Sequence, residues 1–94
     1  MSDEKKMFIK NEKEQSVTRF VSFMGDTERF DLAVTSSPSL GDDFLVVNLN
    51  TNKYSRINLE KLMESNFVEH AFHFNEMEAE DFRSYIKTLL HKEN

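Results

Sequence analysis

The chain has 94 residues, nine of them phenylalanine and none cysteine, with 38 % hydrophobic residues and a formal net charge of −5 at pH 7. This length predicts one domain with a single core, and the absence of cysteine excludes disulfides, thiolate nucleophiles and thiolate metal sites. The acidic net charge argues against nucleic acid and membrane surfaces as partners, because both are anionic. No apolar run reaches the roughly 18 residues that span a bilayer, so we expect a cytoplasmic protein.

The first 15 residues form a polar segment of mixed charge, in which the longest apolar stretch is Met7-Phe8-Ile9. Four lysines and four acidic residues cancel there, so the net charge belongs to residues 16–94. A segment without hydrophobic periodicity offers too little apolar surface to fold by itself. We therefore expect a flexible N-terminal tail over 1–15 and a single folded domain over 16–94.

Two stretches of alternating apolar residues predict a β-hairpin. The first covers 16–24 (SVTRFVSFM), the second covers 29–36 (RFDLAVTS), and GDTE forms the turn between them. The turn length and the two alternations agree, so that both apolar sets lie on one face when the strands pair. The predicted pairs are Phe23 with Phe30 and Val21 with Leu32.

The charged residues Asp31 and Arg19 lie in the middle part of these predicted strands. The pairing places Asp31 beside Ser22 on the opposite face from the apolar set, where water or a hydrogen bond can satisfy the carboxylate. Arg19 shares the apolar face by alternation, so we expect it near the end of the strand with its guanidinium in water.

The middle of the chain predicts a loop, two strands and a short helix. Residues 37–42 (SPSLGD) contain the only proline and predict a loop. Four consecutive apolar residues within 43–50 (DFLVVNLN) predict a strand covered on both faces, and 53–58 (KYSRIN) predicts a more polar strand after an Asn-Thr-Asn turn. Asn58 predicts the N-cap of a short helix over 59–65.

Residues 66–74 (NFVEHAFHF) alternate apolar and polar residues and predict a fifth strand. In a strand, His70 and His73 would point to opposite faces and would not share a metal ion. In a helix, the two histidines would lie one turn apart and could bind one ion together. We favour the strand because valine and phenylalanine occupy alternate positions.

The last predicted element is a helix over 76–91 with an apolar stripe along one face. Asn75 is a suitable N-cap, and Glu78 three residues later completes the capping-box pattern. Acidic residues fill the first turns and basic residues the last turn, which is the order that the helix dipole favours. The predicted core contains Phe30, Leu32, Val34, Phe72, Phe82 and Ile86.

Together these elements predict an α+β fold with a single, mainly antiparallel five-stranded sheet in the order β-β-β-β-α-β-α and the C-terminal helix packed on one face. The other face of the sheet would expose several aromatic and apolar side chains, which indicates an interaction surface. A second copy of the chain is its expected occupant, giving a homodimer, and the alternative is that Met7-Phe8-Ile9 folds back over it. The predicted interaction residues are Phe20, Met24, Ala33, Phe67 and Ala71.

The sequence contains no grouping of acid, base and nucleophile and no glycine-rich phosphate loop, so we predict no enzymatic activity. The predicted function is a non-enzymatic cytoplasmic interaction or regulatory module that requires no cofactor and binds a protein partner or itself. The alternative is a small-molecule or metal-binding protein that uses His73, Glu76 and Glu80, since the last two residues lie one helical turn apart. Helix capping accounts for the same acidic residues without an ion.

Four stretches of the chain carry a likeness to known proteins: RFVSF, RFDLAVTSS, FLVVNLNTNKYSRINLEKL, and FHF ahead of an acidic helix. Together they resemble a family of small uncharacterised proteins of Gram-positive bacteria, over about residues 17–90. The resemblance implies a bacterial cytoplasmic origin and a compact single domain. It implies no activity, cofactor or site residue, because none of these stretches is a catalytic signature.

Overall fold

The computed structural model of the chain describes residues 15–26 and 28–90. Its strands are β1 (Val17–Met24), β2 (Arg29–Ser36), β3 (Phe44–Asn48) and β4 (Lys53–Ile57), and its helices are α1 (Leu59–Leu62), α2 (Phe67–Phe72) and α3 (Glu76–Ile86). The strands form one antiparallel sheet in sequence order, and a single 3-10 turn lies within the predicted loop after β2. The described part of the chain is therefore an α+β fold, while the predicted tail over 1–15 falls almost entirely outside it.

The hairpin of β1 and β2 has the predicted register. The Gly25 N–H donates a hydrogen bond to the Glu28 carbonyl across the turn, with a donor–acceptor distance of 2.7 Å. The alternating apolar residues of both strands consequently share one face, which we call the inner face because the helices pack on it. The confirmed pairs are Phe23 with Phe30 and Val21 with Leu32.

The prediction of a fifth strand over 66–74 is wrong, because this segment contains helix α2 and the sheet has four strands. The buried residues Val68 and Phe72 are four positions apart. Phe67 and Ala71, which are half-buried against the core, repeat that spacing one position earlier. Two pairs at i and i+4 form the stripe of a helix, and the alternating phenylalanines concealed it.

Left-handed residues bound α2 at both ends. Asn66 precedes the helix with φ of 66°, and His73 follows it with φ of 60°. Asparagine and histidine enter this conformation more readily than most other residues. The N–H groups of His73 and Phe74 both donate to the Glu69 carbonyl, which closes the helix in the manner of a left-handed C-terminal cap. The left-handed residues thus limit α2 to six helical residues.

The core fills the space between the inner face and the helices. The ring centroid of Phe82 in α3 lies 5.1 Å from that of Phe72 in α2 and 6.4 Å from that of Phe30 in β2. Phe23 in β1 stacks on Tyr85 in α3, with ring centroids 4.2 Å apart. All the predicted core residues are buried, namely Phe30, Leu32, Val34, Phe72, Phe82 and Ile86.

In the part of the chain that the structure describes, strand β3 is covered on one face rather than two. Phe44, Val46 and Asn48 are buried on the inner face, whereas Leu45 and Val47 between them are half-buried. The prediction of cover on both faces is therefore wrong. The run of four apolar residues in β3 arises because Leu45 and Val47 pack beside neighbouring strands on the other face of the sheet.

Both predicted helix caps are present. The Asn58 side chain accepts a hydrogen bond from the Lys61 N–H at 2.8 Å, which starts α1. Asn75 and Glu78 exchange side-chain and backbone hydrogen bonds of 2.8 and 2.9 Å, the two bonds of a capping box. Helix α1 ends at Leu62 and α3 at Ile86, earlier than predicted, and the chain continues beyond α3 in turns up to Leu89.

Candidate functional site

The face of the sheet opposite the helices, which we call the outer face, has no helix over it in the described part of the chain. Cross-strand pairing aligns one residue from each strand into what we call the outer-face row: Phe20, Ala33, Val47 and Tyr54. Phe20 and Tyr54, at the two ends of the row, are 74 % and 68 % exposed. Ala33 and Val47, which lie between them, have smaller side chains than the two aromatic ends of the row.

Polar contacts flank the outer-face row along the strands. On one side, the Ser22 hydroxyl and the Arg29 Nε both donate to Asp31 Oδ1, at 2.6 and 3.0 Å. The Ser22 hydroxyl, and after it Arg29, lowers the pKa of the Asp31 carboxyl. On the other side, the hydroxyls of Thr18 and Thr35 lie 2.7 Å apart. An apolar centre with a hydrogen-bonded rim is the usual arrangement of a protein interaction surface.

The structure brings together only part of the predicted interaction residues. Phe20, Met24 and Ala33 lie on the outer face, and Met24 is exposed beside the turn that follows β1. Phe67 and Ala71 do not join them, because both belong to α2 and pack against the core on the other side of the sheet.

Tyr54 is the outer-face residue that the sequence reasoning missed. It lies opposite Val47 in the ladder of β3 and β4. The alternation of strand side chains could have identified it. Tyr54 lies three residues before Ile57, and residues at an odd spacing in a strand point to opposite faces, so Tyr54 points away from the core in which Ile57 is buried.

The residues of the alternative metal site do not converge. His73, Glu76 and Glu80 are all exposed. Within residues 15–26 and 28–90, no group of three or more His, Cys, Asp or Glu side chains is arranged to hold a metal ion. His73 ends α2 in a left-handed conformation, and Glu76 opens α3 after the capping residue.

A set of carboxylates joins the turn after β1 to helix α3. Asp81 Oδ2 accepts a hydrogen bond from the Asp26 N–H at 2.8 Å. Burial, followed by the hydrogen bond to Glu78 and repulsion from Glu78 and Asp81, raises the pKa of the Glu28 carboxyl. A Cβ atom added to Gly25 would lie 2.5 Å from Asp81 Oδ2, so a side chain at this position would have to displace the Asp81 carboxylate. These contacts attach the hairpin to the helix.

Residues 9–88, most of the chain, match the family model of the SAV0927-like proteins. The chain belongs to the SAV0927-like family. This family consists of uncharacterised small proteins, so membership confirms the resemblance and assigns no activity or site. No curated protein matches the sequence. In the described residues of this SAV0927-like chain, no helix is both long enough and apolar enough to cross a membrane.

Arg83 connects the three helices of this SAV0927-like chain. Its Nε donates to the Leu62 carbonyl at the end of α1 (3.0 Å), and its Nη2 donates to Glu69 Oε1 in α2 (2.6 Å). Both charged side chains are largely buried, with exposures of 22 % and 17 %. Sequence reasoning missed this contact because the partners are distant in sequence, and its role is structural.

A groove of about 720 Å³ lies at one end of the inner face, where α3 has ended. Val17, Val34, Phe44 and Leu89 line it, together with Arg19. Arg19 pairs with Val34 across the hairpin and is exposed. The expectation that its side chain shares the apolar face and still reaches water is confirmed.

Proposed function

We propose that this protein is a non-enzymatic interaction module that self-associates through the outer face of its sheet. The observation that carries the proposal is the outer-face row, in which Phe20 and Tyr54 stand exposed on either side of small residues. Single exposed apolar residues are common on soluble proteins, whereas a contiguous apolar patch indicates an interaction site. Aromatic side chains are also enriched at interfaces, where they form the anchors of binding.

The dimensions of the outer face fit a reversible dimer. Strands of five to eight residues, at about 3.3 Å per residue and about 4.8 Å between neighbours, give a flat area of roughly 400 Å². With projecting side chains included, a symmetric pair would bury on the order of 1,000 Å² in total, the lower limit for specific interfaces. We therefore expect dissociation constants in the micromolar range rather than a permanent dimer.

The shape of the row supports a second copy as the occupant. In a two-fold arrangement, Phe20 of one copy can enter above Ala33 of the other, and symmetry repeats the contact in reverse. Opposite charges also accompany the row on each copy, since Arg29 pairs with Asp31 beside it. The net charge of −5 on each chain opposes association, so the dimer should strengthen as salt screens this repulsion.

Light scattering of the full chain at high micromolar concentration tests this proposal. We expect a mass of about 22 kDa, twice the 11.1 kDa of one chain, and a mass near that of one chain for Phe20→Glu. Met63→Glu is the matched control, because Met63 is also exposed and apolar but lies after α1, away from the outer face.

A wild-type chain that stays monomeric under these conditions overturns the proposal. If removal of residues 1–13 then produces the dimer, the occupant of the outer face is the segment containing Met7-Phe8-Ile9. The other alternative, a ligand or metal site at His73, Glu76 and Glu80, has no observation in its favour, because the three exposed side chains do not form a cluster.

A further inference from the structure

We propose that the groove at the end of the inner face binds a small monocarboxylate with an apolar tail, with Arg19 as the residue that binds the carboxylate. This site lies on the opposite side of the sheet from the outer-face row. It is therefore independent of the proposed self-association.

The position of Arg19 is the first observation. Arg19 and Val17 are two residues apart on β1 and so project to the same side of the sheet. Both line the groove with buried Val34 and Phe44. Although Arg19 is exposed, the apolar side chains beside it lower the local dielectric on one side, which strengthens its attraction for an anion relative to open water.

The charge of Arg19 is also uncompensated in the described part of the chain. The chain has four arginines, and among residues 15–26 and 28–90 the ion pairs use the other three. Those three are Arg29 with Asp31, Arg56 with Asp43 and Arg83 with Glu69. Within these described residues, Arg19 is therefore a cation that can accept a carboxylate from a ligand.

The other walls of the groove select the class of ligand. Ser16, Ser36 and Ser37 contribute hydroxyls to the lining, and Leu89 adds to its apolar part. The volume of about 720 Å³ lies within the range of roughly 300–1,000 Å³ that is usual for small-molecule sites. A guanidinium binds a carboxylate through two parallel hydrogen bonds, while the valine, phenylalanine and leucine side chains can cover a hydrocarbon tail.

The net charge favours a monoanion over a phosphate. A single arginine supplies one positive charge, and the chain as a whole carries −5. A dianion would gain little more from Arg19 while being repelled more strongly by the rest of the protein. The apolar part of the lining also offers no hydrogen bond to replace the hydration of a compact phosphate, whereas it can cover a hydrocarbon tail.

Amide NMR titration of the full chain with octanoate tests the site. We expect saturable shifts at the amides of Val17, Ser36 and Ser37. Acetate, which lacks the tail, and octanol, which lacks the charge, should produce much weaker effects at the same concentrations. Shifts concentrated at Val47 and Tyr54 on the outer face would overturn the proposal, because they would show only adsorption to the exposed apolar surface.

Two variants test the role of the guanidinium. Arg19→Gln should weaken octanoate binding by about tenfold or more, as expected for loss of a hydrogen bond to a charged group. Val17→Glu should also abolish binding, since it places a carboxylate beside Arg19. Arg29→Gln removes the same charge on the outer face and should leave the affinity within about twofold, because surface charges this far from the groove are screened by salt.

The proposal fails if octanoate binds Arg19→Gln as tightly as it binds the wild type, or if octanol binds as tightly as octanoate. It also fails if the wild type shows no saturable binding of octanoate. Melting temperatures separate these outcomes from unfolding, because Val17 and Arg19 are exposed and their replacement should leave stability nearly unchanged.

Discussion

Replacement of Phe82 by alanine tests how α3 docks on the sheet. Phe82 is fully buried, and its ring contacts those of Phe30, Phe72 and Phe74, with centroids 5.1 to 6.4 Å apart. Three elements of the fold therefore lose packing with this one side chain. Deletion of a large buried aromatic costs about 3 to 5 kcal/mol, against a total of roughly 5 to 14 kcal/mol for a domain of this length.

Urea denaturation followed by circular dichroism measures this change. With a denaturant slope of about 1 to 2 kcal/mol per molar, a loss of that size lowers the midpoint by roughly 1.5 to 5 M. Met77→Ala is the matched control on the same helix, since Met77 is exposed, and it should change the free energy of unfolding by less than about 0.5 kcal/mol. A Phe82→Ala midpoint within the error of that control would refute the packing of α3 described above.

Three further predictions follow from local geometry. Gly25→Ala should lower the free energy of unfolding by about 1 to 3 kcal/mol in a urea titration, because the added Cβ would displace the Asp81 carboxylate. An unchanged urea midpoint would show that the turn and α3 are not in close contact. Glu28→Gln should stabilise the protein at pH 7 and have no such effect below pH 4.5. The reason is that the pKa of Glu28 is raised in the folded state, so its contribution to stability is complete in acid and is lost as pH rises through the folded pKa. Urea midpoints of the variant and the wild type at both pH values measure the difference, and a larger gain in acid than at pH 7 would contradict the prediction. His73→Gly should raise the free energy of unfolding by about 0.5 to 1 kcal/mol, since relief of left-handed strain exceeds the entropy cost of glycine. A lower melting temperature for this variant would contradict the prediction and show that the imidazole makes a stabilising contact.

The sequence was sufficient where the controlling signals are local. The register of β1 and β2 follows from a four-residue turn between two alternating strands, and both patterns can be read without knowledge of the rest of the chain. The capping box of Asn75 and Glu78 is equally local, because both hydrogen bonds lie within four residues. These are the parts of the fold that were predicted correctly.

The short helix α2 shows why the remainder could not be predicted. A segment of nine residues with apolar residues at many positions satisfies both the strand and the helix pattern. The deciding features are the left-handed conformations of Asn66 and His73, which depend on how the chain must turn to reach α3. Assigning 66–74 to a strand also displaced Phe67 and Ala71 from the core to the wrong face of the sheet.

Contacts between distant elements are a second limit. The Asp26 N–H reaches Asp81 across 55 residues, and Arg83 reaches Glu69 across 14. Neither pair follows from composition or periodicity, because each depends on the final placement of α3. The same applies to Arg19, whose lack of an ion pair within residues 15–26 and 28–90 becomes visible only when the partners of the other three arginines are known.

The central claim is that two copies meet through their outer faces. An isotope-filtered NOE experiment on a mixture of labelled and unlabelled chains tests it most directly, since it detects only contacts between copies. We predict intermolecular NOEs from the rings of Phe20 and Tyr54 to the methyl groups of Ala33 and Val47. A monomeric sample, or a dimer whose intermolecular NOEs arise from the exposed side of α3 at Met77 instead, would contradict the claim.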